Sequence, residues 1–240
     1  MDISVIIPTY KETDRLNRTL KEISPYLENK FRSYEVIIVD DPDEQGNYTK
    51  LQPPYDKDQK IKFLRQHSRL GKGAAVRRGC LDGKGEIILF MDADHSTPIE
   101  ELDQFLPQLN DRVPCMVSGA RTYQDDESKW RRVIGLAAML FLHIVLFKKS
   151  VVDSQCGFKA FRRSIVQKVF PLLRVKGGMI DAEIFYLMQK FNYPVYFKPV
   201  TWANKPGSKI NILRCLINDP IDIFKVLLFD FMGAYKRPES

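Results

Sequence analysis

Short apolar runs rich in β-branched residues alternate with amphipathic stretches through the first half of the chain, and this alternation limits the possible folds more than any other feature. "ISVII" (3–7), "YEVIIVD" (34–40), "IKFLR" (61–65), "EIILFMD" (86–92) and "CMVSG" (115–119) read as strands. Between them Thr13 to Leu27, Lys72 to Leu81 and Glu100 to Leu109 read as helices, while the stretch around Thr49 to Leu51 does not. Strands separated by helices need crossover connections. The expected architecture is therefore α/β, with a mostly parallel central sheet and helices on both faces. In such sheets ligands bind beyond the carboxyl ends of the strands. Four early strands finish in polar or turn residues: Pro8-Thr9-Tyr10, Asp40-Asp41, Asp92-Ala93-Asp94 and Gly119-Ala120-Arg121. Those ends are expected to share one rim.

The second half changes character. "KWRR" (129–132) leads into "VIGLAAMLFLHIVLF" (133–147), which is shorter than the roughly 20 residues of a spanning helix and contains His143. "DSQCGFKAF" (153–161) follows, then helices near 162–173 and 180–191, a strand near 195–200 and a "KPGSK" loop (205–209). A final amphipathic stretch begins at Ile212, with Leu213, Leu216, Ile217, Ile223, Phe224, Leu227, Leu228 and Phe231 at roughly helical spacing, broken at Pro220. No repeat, low-complexity tract or Gly/Ser linker divides the chain, so its 240 residues read as one domain with two functional halves, 1–120 and 121–240.

Charge separates those halves. Residues 1–120 hold 17 Lys and Arg against 20 Asp and Glu, a net −3, and residues 121–240 hold 20 against 10, a net +10. A basic half suits an anionic partner such as phosphate, nucleic acid or a membrane surface. Nucleic acid is disfavoured, because the aromatic residues do not interleave with the basic ones as stacking platforms do. Cys80, Cys115, Cys156 and Cys215 form no CxxC pair and no zinc-ligand spacing, which fits a reduced setting. No signal-peptide pattern precedes "ISVII", and a cytoplasmic location is expected.

"LFMDADHSTP" (89–98) ends a strand in two carboxylates one residue apart. Residues i and i+2 of a strand share a face, so Asp92 and Asp94 can present themselves to one hard cation, which is often held by one or two carboxylates plus substrate phosphates. The same acids could merely belong to a helix start, with Ser96 or Thr97 as the cap before Pro98. "RLGKGAAVRRG" (69–79) is neither a P-loop nor a full GxGxxG. It still allows a tight turn feeding a helix, with Lys72 and two arginines near a phosphate. "VDD" (39–41) places further acids at a strand end, suited to a nucleobase or ribose or to a simple turn.

In order and spacing, "SVIIPTYKE", "VIIVDD", "RLGKGAAVRRG", "LFMDADHSTP" and "GAR" resemble the inverting family-two glycosyltransferases of the GT-A fold. "DSQCGFKAF", "GGMIDAEIFYL" and "PVTWANKPGSKI" resemble the dolichyl-phosphate (polyprenyl-phosphate) β-glucosyltransferases, relatives of dolichyl-phosphate mannose synthase. The resemblance implies a nucleotide sugar, UDP-glucose first, bound by the first half and a polyprenyl or dolichyl phosphate held by the second. It implies Pro8, Tyr10 and Glu12 in the nucleotide pocket, Asp40 at the base, and Lys72 and Ala93 as substrate contacts. Asp92 and Asp94 would serve ribose, diphosphate and a Mg²⁺ or Mn²⁺ ion. Arg121 and Arg131 (or Arg132) would hold the acceptor phosphate, and Lys209 would close over the phosphates. Two departures stand out: Pro42-Asp43 replaces the usual Gly-Ser after "VDD", and Ser96 stands where mannose synthases commonly have a metal-binding Gln.

A phosphate-monoester acceptor is ionised at neutral pH, since its second pKa is about 6, and needs no strong base. A sugar-hydroxyl acceptor would need one, and Asp181 in "GGMIDAEIF" is the candidate, unless it is only an acid favoured at a helix N-terminus. A lipid acceptor also gives the basic half and the final amphipathic stretch a use. They would sit peripherally on the cytoplasmic face of a membrane, with core packing as the competing explanation of the stripe.

Overall fold

The structure is a computed structural model, which describes residues 1–111, 113–122, 146–147, 151–203 and 212–236. Among them seven strands form one sheet: β1 (Ile3–Thr9), β2 (Tyr34–Asp40), β3 (Ile61–Arg65), β4 (Ile87–Met91), β5 (Met116–Thr122), β6 (Phe158–Arg162) and β7 (Val195–Thr201). Their order is β3-β2-β1-β4-β6-β5-β7. All neighbours pair in parallel except β6, which runs antiparallel to both β4 and β5. The helices are α1 (Thr13–Lys30), α2 (Lys72–Asp82), α3 (Leu106–Asn110), α4 (Arg163–Val169), α5 (Ile180–Lys190) and α6 (Ile212–Phe231).

Period-two burial explains the two covered faces. Ile3, Val5 and Ile7 of β1, with Val36 and Ile38 of β2, pack against Leu16, Leu20, Ile23 and Leu27 of α1. The intervening Ile6, Ile37 and Val39, with Ile88 and Phe90 of β4, pack against Val76 and Cys80 of α2 and the buried face of α5. These strands are apolar at nearly every position because both faces are buried. Truncating one such Leu or Ile to Ala costs about 2–5 kcal/mol.

Several expectations change in detail. The region 100–109 is a 3-10 turn (Ile99–Gln104) followed by the short α3, because Pro107 at the start of α3 disfavours continuous α-helix through the residue before it. β5 extends to Thr122, paired with β7 along its whole length. β6 begins within the motif "DSQCGFKAF" and runs one residue past it to Arg162, a stretch not expected to be a strand. α6 runs unbroken through Pro220, which is exposed, so solvent can replace the hydrogen bond its ring removes. The apolar run 133–147 lies outside the described residues apart from Leu146 and Phe147, both buried. The side chains of Leu213, Leu216 and Ile217 are likewise outside them. No helix among the described residues is long and apolar enough to cross a membrane.

Candidate active site

Since β1, β2, β4 and β5 run the same way, their carboxyl ends lie on one rim. A cleft of about 300 Å³ opens there. Pro8 and Tyr10 from the end of β1, Glu12 before α1 and Lys72 at the start of α2 line it. Asp92, Ala93 and Asp94 complete that wall from the end of β4. The strand order thus gathers seven of the expected site residues from separate segments of the chain.

Asp92 is held from two sides. Its backbone N–H donates to Gly157 O at 3.1 Å, and its Oδ1 lies 2.7 Å from Lys72 Nζ. A Cβ on residue 157 would fall 1.9 Å from Asp92 Oδ2, so the approach needs glycine there. Asp94 Oδ1 accepts from Ser96 N–H at 3.0 Å, which shapes the turn after β4. The helical start that follows is capped by neither acid: Ile99 N–H donates to His95 Nε2 at 3.1 Å, with His95 at φ 52° and its Nδ1 against Glu22. Nor is it capped by Ser96 or Thr97 side chains. Among the described residues nothing takes up Asp92 Oδ2 or Asp94 Oδ2, which leaves both for a ligand. Among the described residues no group of three or more His, Cys, Asp or Glu side chains could hold a metal by itself. Two carboxylates on one cleft wall nevertheless fit a hard divalent cation that draws its other ligands from substrate phosphates and water.

The start of α2 does not form the phosphate cradle the glycine cluster suggested. Gly71, at φ +98°, turns the chain so that Gly73 N–H and Ala74 N–H both reach Lys176 O, at 2.8 and 3.3 Å. The donors an anion would need are therefore occupied. The two arginines are committed as well, Arg77 to Phe170 O and Pro171 O and Arg78 to Arg65 O. Of the cluster's basic residues, Lys72 is the one that lines the cleft. Burial by itself would lower its ammonium, but Asp92, Asp181 and Asp94 outweigh that and hold it above the ordinary lysine value.

Asp40 lies off the cleft wall. It is fully buried, and its carboxylate accepts from Thr9 Oγ1 (2.7 Å), Thr49 N–H (2.6 Å) and Thr49 Oγ1 (2.9 Å). Burial raises it despite those bonds. Its neighbour Asp41 reaches the cleft and accepts from Gln66 Nε2, Leu70 N–H and Gly71 N–H. The departure at Pro42-Asp43 builds a tight turn closed by Asp43 N–H to Asn47 O at 2.8 Å, with Gly46 at φ +80°. That turn brings Glu44 to Tyr10 OH at 2.7 Å and walls an adjoining cavity of about 460 Å³, which shares Glu12 and Arg15 with the cleft.

On the other side of the rim, Arg121 forms a two-point pair with Asp153, Nε to Oδ2 at 2.7 Å and Nη2 to Oδ1 at 3.1 Å. Its guanidinium lies 5.6 Å from the Trp202 ring. Asp181, in the first turn of α5, is 1% exposed and lies 2.7 Å from Lys159 Nζ on β6. Asp153 and Lys159 are not singled out by the sequence, and Asp41 only as part of "VDD", although a lysine inside the apolar run "GFKAF" is a usable signal. Arg131 and Lys209 lie outside the described residues.

The family model described as glycosyl transferase family 2 matches residues 4–170. The chain belongs to that family. This family-two glycosyltransferase is 31% identical to a dolichyl-phosphate beta-glucosyltransferase of Dictyostelium discoideum, over 98% of the chain and 76% of the relative. Among solved structures it resembles mannosyl-3-phosphoglycerate synthase from Rubrobacter xylanophilus, with TM-score 0.69 and 14% identity over 100% of this chain and 77% of that one. It also resembles glucosyl-3-phosphoglycerate synthase from Mycobacterium tuberculosis in complex with Mn²⁺, UDP-glucose and phosphoglyceric acid, with TM-score 0.60 and 16% identity over 100% and 81%. These likenesses show the fold of the family-two enzyme, a GT-A-like α/β sheet with helices.

Proposed function

We propose that the chain transfers glucose from UDP-glucose to a polyprenyl (dolichyl) phosphate with inversion at the anomeric carbon. The observation that carries this reading is the pairing of Asp92 and Asp94 with Lys72 on one cleft, in a chain alike over nearly its whole length to a dolichyl-phosphate beta-glucosyltransferase. The nucleotide would lie against Pro8, Tyr10 and Glu12, with Asp41 rather than Asp40 facing it. Asp92 Oδ2 and Asp94 would hold a Mg²⁺ or Mn²⁺ ion, whose chemistry is to take up charge on the leaving diphosphate. Lys72 adds a fixed cation beside the same group.

The acceptor phosphate is itself the nucleophile, so what remains for this chain to supply is alignment. Arg121 is suited to supply it, because Asp153 fixes its guanidinium at two points beside the carboxyl end of β5. Arg131 and Lys209 are proposed to join it. The hydroxyl-acceptor reading, with Asp181 as base, is less well supported, because Asp181 is buried against Lys159. A lipid acceptor also fits α6, which buries Ile223 and Val226 while leaving Ile221, Phe224, Leu228 and Phe231 exposed beside Lys225, with Met232 and Lys236 exposed just after it. That face is proposed to meet the membrane surface peripherally.

The test is incubation with a panel of UDP- and GDP-sugars, a polyprenyl phosphate and Mg²⁺ or Mn²⁺, with products identified by mass. UDP-glucose is expected to yield a hexosyl polyprenyl phosphate and GDP-mannose to yield little. If no donor gives a lipid product, with or without membranes, the proposal is wrong.

A further inference from the structure

Lys159 is fully buried, on a strand where Phe158, Ala160 and Phe161 surround it and Arg162 ends the run, in the layer between the sheet and α5. Its ammonium donates to Cys156 O, lies 5.6 Å from the Phe185 ring centroid and pairs with Asp181 at 2.7 Å. A buried ion pair of this kind is often no more stabilising than apolar residues of the same volume. Stability alone therefore gives no reason for this one. Its location does, because the cleft lysine lies close by: Lys72 Nζ is 5.2 Å from the Phe90 ring centroid, Phe90 is the register partner of Lys159 across β4 and β6, and Asp181 joins Asp92 in holding the Lys72 ammonium above its ordinary value.

The pairing of Asp181 is also incomplete. Lys159 reaches Asp181 Oδ1 at ion-pair distance without forming a hydrogen bond to it, and among the described residues that buried oxygen has no hydrogen-bond partner. A second ammonium could satisfy it. Two carboxylates thus act on Lys72, Asp92 at contact distance in the cleft and Asp181 from the buried layer, and among the described residues only Lys159 neutralises Asp181 at contact distance.

We propose that Lys159 is a positioning residue: by neutralising Asp181 it keeps Lys72 directed at Asp92 and the donor cleft. Removing the Lys159 charge leaves Asp181 uncompensated in a low-dielectric layer, where attraction for the nearest ammonium is strong. Lys72 then turns back to Asp181, and the leaving diphosphate loses a cation. Cancelling Asp181 at the same time returns Lys72 to the cleft.

The inference rests on the cleft being a nucleotide-diphosphate site, and the experiment separates the two. Crystal structures without nucleotide are compared for wild type, Lys159→Met, Lys159→Gln and Lys159→Met/Asp181→Asn, and affinity for UDP with Mg²⁺ is measured by calorimetry. The single variants are expected to place Lys72 Nζ on Asp181 and to weaken UDP roughly tenfold or more, the effect of losing one charged hydrogen bond. The double variant, which has no buried unpaired charge, is expected to fold, to restore Lys72 to Asp92 and to bind UDP within about threefold of wild type. Lys159→Gln keeps a donor for Cys156 O and covers the case in which Lys159→Met does not fold. Lys72 remaining on Asp92 in the single variants, or UDP affinity as weak in the double variant as in the single, overturns the inference. A wild type that binds no UDP refutes the donor reading instead, while the position of Lys72 in the nucleotide-free structures still decides the role of Lys159.

Discussion

Gly157→Ala separates the site from the fold more sharply than any substitution of an acid. The added Cβ would lie 1.9 Å from Asp92 Oδ2 and 2.4 Å from its Cγ, against 3.4 Å for ordinary contact, so the carboxylate must move by about 1.5 Å. It can do so, since the Asp92 side chain is 40% exposed and swings about its own χ angles. Forcing it off its rotamer costs about 0.5–1.5 kcal/mol. Gly157 is outside the left-handed region, so alanine offsets part of that cost by about 0.4–1 kcal/mol through a less flexible unfolded chain. Net stability should change by less than about 1 kcal/mol, or within about 4 °C in Tm for a chain of this size. Catalysis should not survive so well. A misplacement of about 1 Å at a reacting site can cost 10²-fold, and here the displaced group is both a proposed metal ligand and the partner of Lys72. The assays are thermal unfolding and transfer from UDP-glucose under saturating Mg²⁺. Activity within threefold of wild type would falsify the assignment of Asp92, whereas loss of the folded state would show that Gly157 serves the sheet rather than the site.

Three further outcomes are expected. Lys72→Met should raise the donor KM roughly tenfold or more while leaving Tm nearly unchanged, because the side chain is 35% exposed and its ion pair contributes little to folding. Burial alone would raise the Asp153 carboxyl, but Arg121 outweighs it and holds the group below its ordinary value. A depressed folded pKa contributes stability above the unfolded value of 3.8 and loses it as pH falls through the folded value. Asp153→Asn should therefore be less stable than wild type by roughly 1–3 kcal/mol in urea at pH 7, with the gap closing below about pH 4. Phe224→Ser and Phe231→Ser remove side chains that are 64% and 90% exposed, so they should leave Tm unchanged and reduce sedimentation with anionic vesicles. Undiminished sedimentation of the double variant would place the membrane contact elsewhere.

The strands that matched residue for residue, β2 and β3, are those whose identity is carried by local pattern, a β-branched run closed by charged residues. β6 is buried at four of its five positions, more than β3, yet gives no such signal, because it holds no β-branched residue and places Lys159 among its buried positions. The four-carbon stem packs like an apolar side chain, and the ammonium is neutralised by Asp181, far along the chain on another element. The other discrepancies have the same origin. At Asp40-Asp41 adjacent residues point to opposite sides of a strand. Which of them meets the cleft depends on Thr9 and Thr49 having taken up Asp40. At α2, the spacing of glycines does foretell a tight turn, but Lys176, remote in sequence, fills the donors that would have bound phosphate. Local sequence therefore tells which groups are carried to the rim, and distant partners decide which of their hydrogen-bonding atoms remain available there. By that criterion the acids of "LFMDADHSTP" are the strongest candidates, since among the described residues Lys72 and Ser96 take one oxygen from each, and Asp92 and Asp94 still keep an Oδ2 for a ligand.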